Sequence, residues 1–297
     1  MKTIELETPK QTSVRLQTTG AEAVIQSLKA EGVKTIFGYP GGAIMPIYDA
    51  LFDHLEEVNH VLTRHEQGAI HAAQGYARTS GKTGVVFATS GPGATNLITG
   101  LADALIDSTP LVCITGQVAS HLLGTDAFQE TDVMGISMPV TKWNCQVTKA
   151  EDIAPALAKA FYIASSGRPG PVLVDITKDA QFEKLDFSYE KCTAVRSFQP
   201  KPKLNADQLQ AASKLLNEAK KPLMIVGQGI MLSNAEEELL VFAEKTGVPV
   251  ASTLLGLGAF PANHPQFVGM VGMHGNYAPN VKSNECDVLL AVGMRFD

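Results

Sequence analysis

No stretch of the 297-residue sequence approaches the ~20 consecutive apolar residues that span a bilayer; Val85-Val86-Phe87-Ala88 is typical of its longest apolar runs. The sequence therefore predicts no membrane-spanning helix. The first residues, MKTIELETPKQTSVRLQTT, are polar and mixed in charge and lack the apolar centre of a secretory signal, so a cytoplasmic chain is expected. Basic residues are in deficit: Lys plus Arg number 24 against 30 Asp plus Glu, a formal charge of -6, which leaves no surplus to neutralise phosphates and makes nucleic acid an unexpected partner. Cysteine is sparse. Cys113, Cys145, Cys192 and Cys286 lie far apart with no CxxC pair, which excludes a zinc knuckle and a disulfide framework and predicts buried, reduced thiols. Internal repeats and low-complexity tracts are missing. What remains is ordinary globular composition, 45% hydrophobic and 18% charged, at a length that fits roughly two domains of ~150 residues.

Apolar periodicity organises the chain. In GAEAVIQSLKAEGV, Ala21, Val24, Ile25 and Leu28 form one helical stripe, with Thr19 as N-cap and Gly32 as stop. Short apolar or β-branched runs follow at 35–38, 60–62, 84–89, 110–115 and 171–176, separated by helical patterns. They are apolar at consecutive positions, as in strands covered by helices on both faces of a parallel sheet. The fold class read from this is α/β, a doubly wound parallel sheet over residues 18–182 after a tail at 1–17. Residues 183–203, containing SFQPKPK, lose the rhythm and read as a linker. A second α/β cycle covers 204–297, with helices at about 206–219 and across NAEEELLVFAEKTG, and strands PLMIVG, VPVAS and DVLLAVG. The chain stops after the last of these strands, without the helix expected to cover it, so the second domain is expected to be incomplete.

Two glycine clusters follow predicted strands, Gly38-Tyr39-Pro40-Gly41-Gly42 and Ser90-Gly91-Pro92-Gly93-Ala94-Thr95-Asn96. Strand C-termini form the ligand edge of a parallel sheet, where glycine lets backbone amides approach an anion or a flat ring. The second cluster is GxGxxN and no Walker pattern occurs, so a phosphate loop and a pair of plain tight turns both remain open. In Thr63-Arg64-His65-Glu66-Gln67-Gly68, Glu66 falls where a strand ends and a helix begins. It is either a carboxylate placed for proton work or a partner of the helix dipole. His65 and His71 are six apart, which breaks the i, i+4 spacing of a helical zinc motif.

RHEQGA, ATSGPGATNL, TGQV, GTDAFQE, SGRPGPVLVD, ASTLLGLG, GMHG and GMRFD, in this order, resemble the large catalytic subunits of the acetolactate (acetohydroxyacid) synthase family, which are thiamine-diphosphate enzymes. The likeness runs from about Gly20 to Asp297. SGPGATN and the His-Glu pair are common to related thiamine enzymes, whereas GTDAFQE, GMHG and GMRFD are specific. The resemblance implies a pyrimidine-binding domain, a middle domain holding FAD, and a third domain holding diphosphate and Mg²⁺, of which the first and part of the second are present.

It also implies roles. Glu66 matches the glutamate that bonds N1′ of the aminopyrimidine and promotes loss of the thiazolium C2 proton. Gly42 and Ala43 match residues lining the cofactor and substrate channel. Phe128 and Gln129 match residues that approach the substrate from a neighbouring subunit, and plain packing is the other reading of Phe128. Ser108 and Lys178 match positions near the cofactor or substrate entrance, with Lys178 attracting a keto-acid carboxylate. Arg168 matches an arginine suited to the FAD pyrophosphate, the alternative being a surface ion pair. Thr253, Leu254, Met273, His274, Gly293 and Arg295 match further flavin contacts; Met273 reads equally as core filling.

Gly227-Gln228-Gly229 departs from the three glycines of many relatives, and no Gly-Asp-Gly followed by a spaced Asn supplies a metal site. The implied activity is decarboxylation of pyruvate and transfer of the two-carbon unit to pyruvate or 2-oxobutyrate, in isoleucine and valine biosynthesis. The implied partners are 2-keto acids, a second copy in a homodimer or larger oligomer, and a regulatory small subunit. The alternatives are another thiamine-diphosphate enzyme of 2-keto acids, such as pyruvate oxidase, glyoxylate carboligase or a decarboxylase, or a non-catalytic assembly module. The 297-residue chain alone is expected to be inactive.

Overall fold

The computed structural model describes residues 16–296, which divide into two compact units between Pro202 and Lys203. In the first, β1 (Leu16–Thr19) leads into α1 (Gly20–Ala30). The expected stripe of Ala21, Val24, Ile25 and Leu28 is buried, Thr19 Oγ1 accepts the Glu22 amide at 3.3 Å, and the chain leaves through Gly32 at φ +78°. There follow β2 (Thr35–Gly38), α2 (Met45–Phe52), β3 (Asn59–Leu62), α3 (Glu66–Ser80) and β4 (Gly84–Ala88). Next come α4 (Pro92–Thr95), α5 (Ile98–Ile106), β5 (Leu111–Gln117), α6 (Val133–Ser137), β6 (Trp143–Val147), α7 (Ile153–Ser165), β7 (Pro171–Thr177), α8 (Lys178–Phe182) and β8 (Lys184–Phe187).

Six of these strands form one parallel sheet in the order β3-β2-β4-β5-β7-β6. Every residue of β4, β5 and β7 is buried. The reason is a core on each face: α1, α2 and α7 pack on one side through residues such as Ile25, Ile47 and Leu157, and α3 and α5 on the other through Ile70 and Leu101. The sheet grows in one direction from β2 to β3 and in the other from β4 to β5, so its switch point lies between β2 and β4.

Three strands of this unit escaped the pattern, the first being β1, which falls at the end of the expected tail. β6 is an edge strand, WNCQV, that mixes polar and apolar residues, most of them half-buried. β8 lies inside the stretch expected to be an open linker: KLDF alternates, Leu185 and Phe187 turn onto the core, and the strand pairs antiparallel with β1. Residues 184–187 thus belong to the first unit. The expected tail at 1–17 lies almost wholly outside the described residues.

The second unit holds α9 (Ala206–Glu218), β9 (Pro222–Val226), α10 (Gly229–Leu232), α11 (Glu236–Thr246), β10 (Val250–Ser252), β11 (Phe267–Met270), α12 (Tyr277–Glu285) and β12 (Val288–Val292). Its four strands are parallel in the order β11-β10-β9-β12, with the switch point between β9 and β12. Asn205 caps α9 by accepting the Asp207 and Gln208 amides.

All four thiols are free, but only Cys113, inside β5, is buried. Cys145 on the edge strand, Cys192 after β8 and Cys286 past α12 are half-exposed, because none sits between two covering layers. Among the described residues no helix is long and apolar enough to cross a membrane.

Candidate active site

The C-terminal edge of the six-stranded sheet gathers six of the site residues singled out from sequence: Gly42, Ala43, Glu66, Phe128, Gln129 and Lys178. Residues 39–44 leave β2 and residues 89–97 leave β4, so both glycine clusters flank the switch point. They are joined there: the Ala43 amide donates to Thr89 Oγ1 at 3.2 Å. Gly42 is exposed and Ala43 buried.

Glu66 opens α3 at the same edge, one residue past the N-cap His65, whose ring Nδ1 accepts the Gln67 amide. Its side chain is buried although it carries a carboxylate, the residue being 6% exposed. Oε2 accepts a 2.9 Å hydrogen bond from Asn96 Nδ2 of the second glycine cluster. Oε1 lies over Gly93, where a Cβ would stand 3.1 Å from it and 2.7 Å from Thr89 Cγ2; glycine is what leaves room beside the carboxylate. A group that would serve merely as a dipole partner has no need of burial, so these contacts favour the chemical reading of Glu66. Its charge also reaches Tyr48: burial first, and then Glu66, push the phenol well above its ordinary range. Tyr48 Oη lies 3.2 Å from His60 Nε2, and burial lowers the His60 imidazole.

The loop after β5 closes over the second cluster. Glu130 organises it by accepting the backbone amides of Gly124, Thr125 and Ala127, which holds its carboxyl below the usual range. Gln129 is forced to φ +58°. Its carbonyl stands against Gly91, itself at φ +57°, where a Cβ would come within 2.6 Å of that oxygen. Phe128 projects beside it and is 88% exposed, which removes the packing reading within this chain.

α8 brings Lys178 to the same rim, directly after β7. Asp179 accepts the Ser120 amide at 3.0 Å and the Ser120 hydroxyl, and Gln181 Nε2 donates to the Ala43 carbonyl at 2.9 Å. Lys178 is the first residue of α8, next to Asp179, which holds Ser120, and three residues before Gln181, which holds the Ala43 carbonyl.

Ser108 and Arg168 do not join this group. They precede β5 and β7 and lie at the opposite, N-terminal edge, where Arg168 Nε donates to Ser108 Oγ at 2.8 Å and Nη2 to the carbonyls of Leu105 and Ile106. The guanidinium thus caps the C-terminus of α5. Lys142 does the same for α7 through the Ile163 and Ser166 carbonyls, and burial, with Arg168 nearby, lowers its ammonium to about 8.

In the second unit, Thr253 and Leu254 follow β10, Met273 and His274 follow β11, and Gly293 and Arg295 follow β12, so all six share one sheet edge. Gly293, at φ +63°, is in close contact with Gly227 and Gly229 across the switch point. Gln228 takes a helical φ of -57° as N-cap of α10, so a third glycine is not required there. Leu254 and Met273 are exposed, and Ser252 Oγ at the end of β10 is buried without a partner.

Sequence reading found no sign of a role for Gln181 or Tyr48, which lie outside the quoted motifs, and none for Asp175, although it ends the quoted SGRPGPVLVD and its carboxylate is buried. Thr89, Ser90 and Asn96 also stood inside a quoted motif. Among the described residues no three His, Cys, Asp or Glu side chains are grouped to hold a metal ion.

Residues 18–136 match the family Thiamine pyrophosphate enzyme, N-terminal TPP binding domain, and residues 209–297 match Thiamine pyrophosphate enzyme, central domain. The chain is similar to the acetolactate synthase large subunit of Corynebacterium glutamicum, 53% identical over 279 residues, covering 94% of this chain and 44% of that one. It is 51% identical to the probable acetolactate synthase large subunit of Methanocaldococcus jannaschii over 280 residues, 93% of this chain and 47% of that one. The acetolactate synthase large subunit of Haemophilus influenzae is likewise 51% identical, over 94% of this chain and 49% of that one. The chain spans about half the length of these relatives.

Proposed function

The chain belongs to the thiamine pyrophosphate enzyme family, and on that premise we propose that it serves an acetolactate synthase reaction: decarboxylation of pyruvate and transfer of the two-carbon unit to pyruvate or 2-oxobutyrate. The observation that carries this reading is the buried Glu66 carboxylate, bonded to Asn96 beside Gly93 at the switch point of the sheet.

The rim fits the pyrimidine half of thiamine diphosphate: a carboxylate with one oxygen held and one beside an open glycine, and a backbone turn at Gly42-Ala43 without bulk. When bound, the cofactor supplies the electron sink that pyruvate decarboxylation demands. Glu66 holds and returns the proton at the ring nitrogen it meets. Ala43 and Gly42 admit the ring, Lys178 attracts the keto-acid carboxylate, and Phe128 and Gln129 shield the reacting carbon from water. The exposure of Phe128 supports a role against a second copy of the chain, hence a homodimer or larger assembly; a regulatory small subunit is a further partner of this reading.

FAD suits the edge of the second unit, where Arg295 offers a guanidinium for a pyrophosphate and Leu254 and Met273 offer apolar surface for a flat ring, with Thr253, His274 and Gly293 beside them. Arg168 is engaged at α5, which weakens its assignment to the same group. Among the described residues no three His, Cys, Asp or Glu side chains are grouped to hold Mg²⁺. The 297-residue chain by itself is inactive in this reading.

The test is the product formed from pyruvate by the full-length enzyme. Acetolactate upholds the proposal; acetaldehyde or acetyl phosphate overturns it. Robust acetolactate formation by the 297-residue chain would refute its inactivity.

A further inference from the structure

Beneath the rim, Asp175 of β7 is fully buried and faces no cation among its hydrogen-bond partners. Oδ1 accepts the Thr115 hydroxyl at 2.6 Å; Oδ2 accepts Gln117 Nε2 and Gln146 Nε2, each at 3.0 Å. Thr115 and Gln146 are its register partners on β5 and β6, so one carboxylate joins three strands. All three neighbours donate. The ionised form is therefore satisfied, although burial, with Asp132 adding to it, raises the carboxyl above its ordinary value. Leaving a charge in such a place is costly for stability, and an apolar residue of similar size would be cheaper.

What the carboxylate secures is the orientation of the Gln117 amide. That side chain ends β5 and grips both ends of the loop that follows: its Oε1 accepts the Val118 amide at 2.9 Å, and its Nε2 donates to the Thr131 carbonyl at 3.1 Å. A flipped amide would set nitrogen against the Val118 N–H and oxygen against the Thr131 carbonyl. Asp175, which offers only acceptors, rejects the flip. Between the two gripped points lie Phe128 and Gln129, the latter held at φ +58° against Gly91.

We propose that Asp175 is a positioning residue that, by fixing the Gln117 amide, sets the course of the loop 118–131 and so the placement of Phe128 and Gln129 over the glycine cluster. Its link to catalysis rests on the function proposed above; its link to the loop does not.

Amide hydrogen exchange of the 297-residue chain, read by mass spectrometry, separates the two. Asp175→Ala and Gln117→Leu speed exchange in peptides from 118–131 by about tenfold or more relative to peptides from α3 and α7. Asp175→Asn restores protection to near the parent level, because an asparagine oxygen still accepts from both glutamines while its amide donates to the Thr115 oxygen. Gln146→Leu removes one bond to Asp175 without touching the loop, and leaves the ratio unchanged. Equal acceleration in all peptides, no acceleration in the loop, or the same result for Gln146→Leu as for Gln117→Leu overturns the proposal. Should Asp175→Ala fail to fold, Gln117→Leu and Asp175→Asn decide it. In the full-length enzyme the same loss appears as a raised KM for the keto acid in Gln117→Leu; unaltered kinetics with a deprotected loop would sink the functional reading alone.

Discussion

Replacing Asn96 by aspartate sets two carboxylates where a carboxylate and an amide now meet at 2.9 Å. Relaxed to about 4 Å at an effective dielectric near 20, two unit charges repel by about 4 kcal/mol, or about three pKa units. The repulsion makes the folded pair hold a proton to higher pH than the unfolded chain does. Over that range the folded variant binds a proton that the unfolded chain does not, so its stability falls as pH rises. The deficit relative to the parent should be small at pH 4.5 and reach about 4 kcal/mol at pH 8. Urea unfolding followed by fluorescence of Trp143, the sole tryptophan, reports on the first unit because that residue lies in β6. Asn96→Ala is the control: it loses one charge-assisted hydrogen bond, about 1.5–3 kcal/mol, with no trend between pH 5 and 8. A deficit of Asn96→Asp that is the same at pH 5 and pH 8 would refute the juxtaposition of Glu66 and Asn96 on which the site is built.

Glu66→Gln keeps an oxygen for Asn96, so folding stability changes by less than about 1 kcal/mol, while hydrogen–deuterium exchange at the thiazolium C2 of the full-length enzyme slows about 10²–10⁴-fold; an unchanged rate removes Glu66 from its role. Burial would raise the Asp179 carboxyl, but the Ser120 and Thr177 hydroxyls and the Ser120 amide outweigh it and hold it down to about 2. A lowered carboxyl stabilises the fold above its unfolded value of 3.8 and loses that contribution as pH falls towards 2. Asp179→Asn should therefore flatten acid unfolding between pH 4 and 2, and a titration superimposable on the parent's would contradict this.

Strands β4, β5 and β7 were legible because burial on both faces writes an unbroken apolar run, and α1 because its cap, stripe and stop all agreed. β6 and β8 were not. An edge strand owes half its surface to solvent, and KLDF is too short for its alternation to outweigh the surrounding polar residues. Glu66, the two glycine clusters and the loop with Gln129 were legible as motifs, yet motif order says nothing of which sheet edge a residue reaches. Ser108 and Arg168 stand on the far edge for the plain reason that they precede their strands rather than follow them. The roles of Asp175 and Gln181 were invisible, even though Asp175 ends a quoted motif, since a buried polar residue is recognised only by the partners that satisfy it.

The bond from Gln181 to the Ala43 carbonyl spans 138 residues, and it gives the first unit an order of assembly during synthesis. Translation delivers the Gly41-Gly42-Ala43 turn early, but its tether leaves the ribosome only after β7 and α8 have been made. A nascent chain arrested before residue 181 would lack the side chain that holds this carbonyl, so the turn takes its final form late, when the unit is almost entirely synthesised.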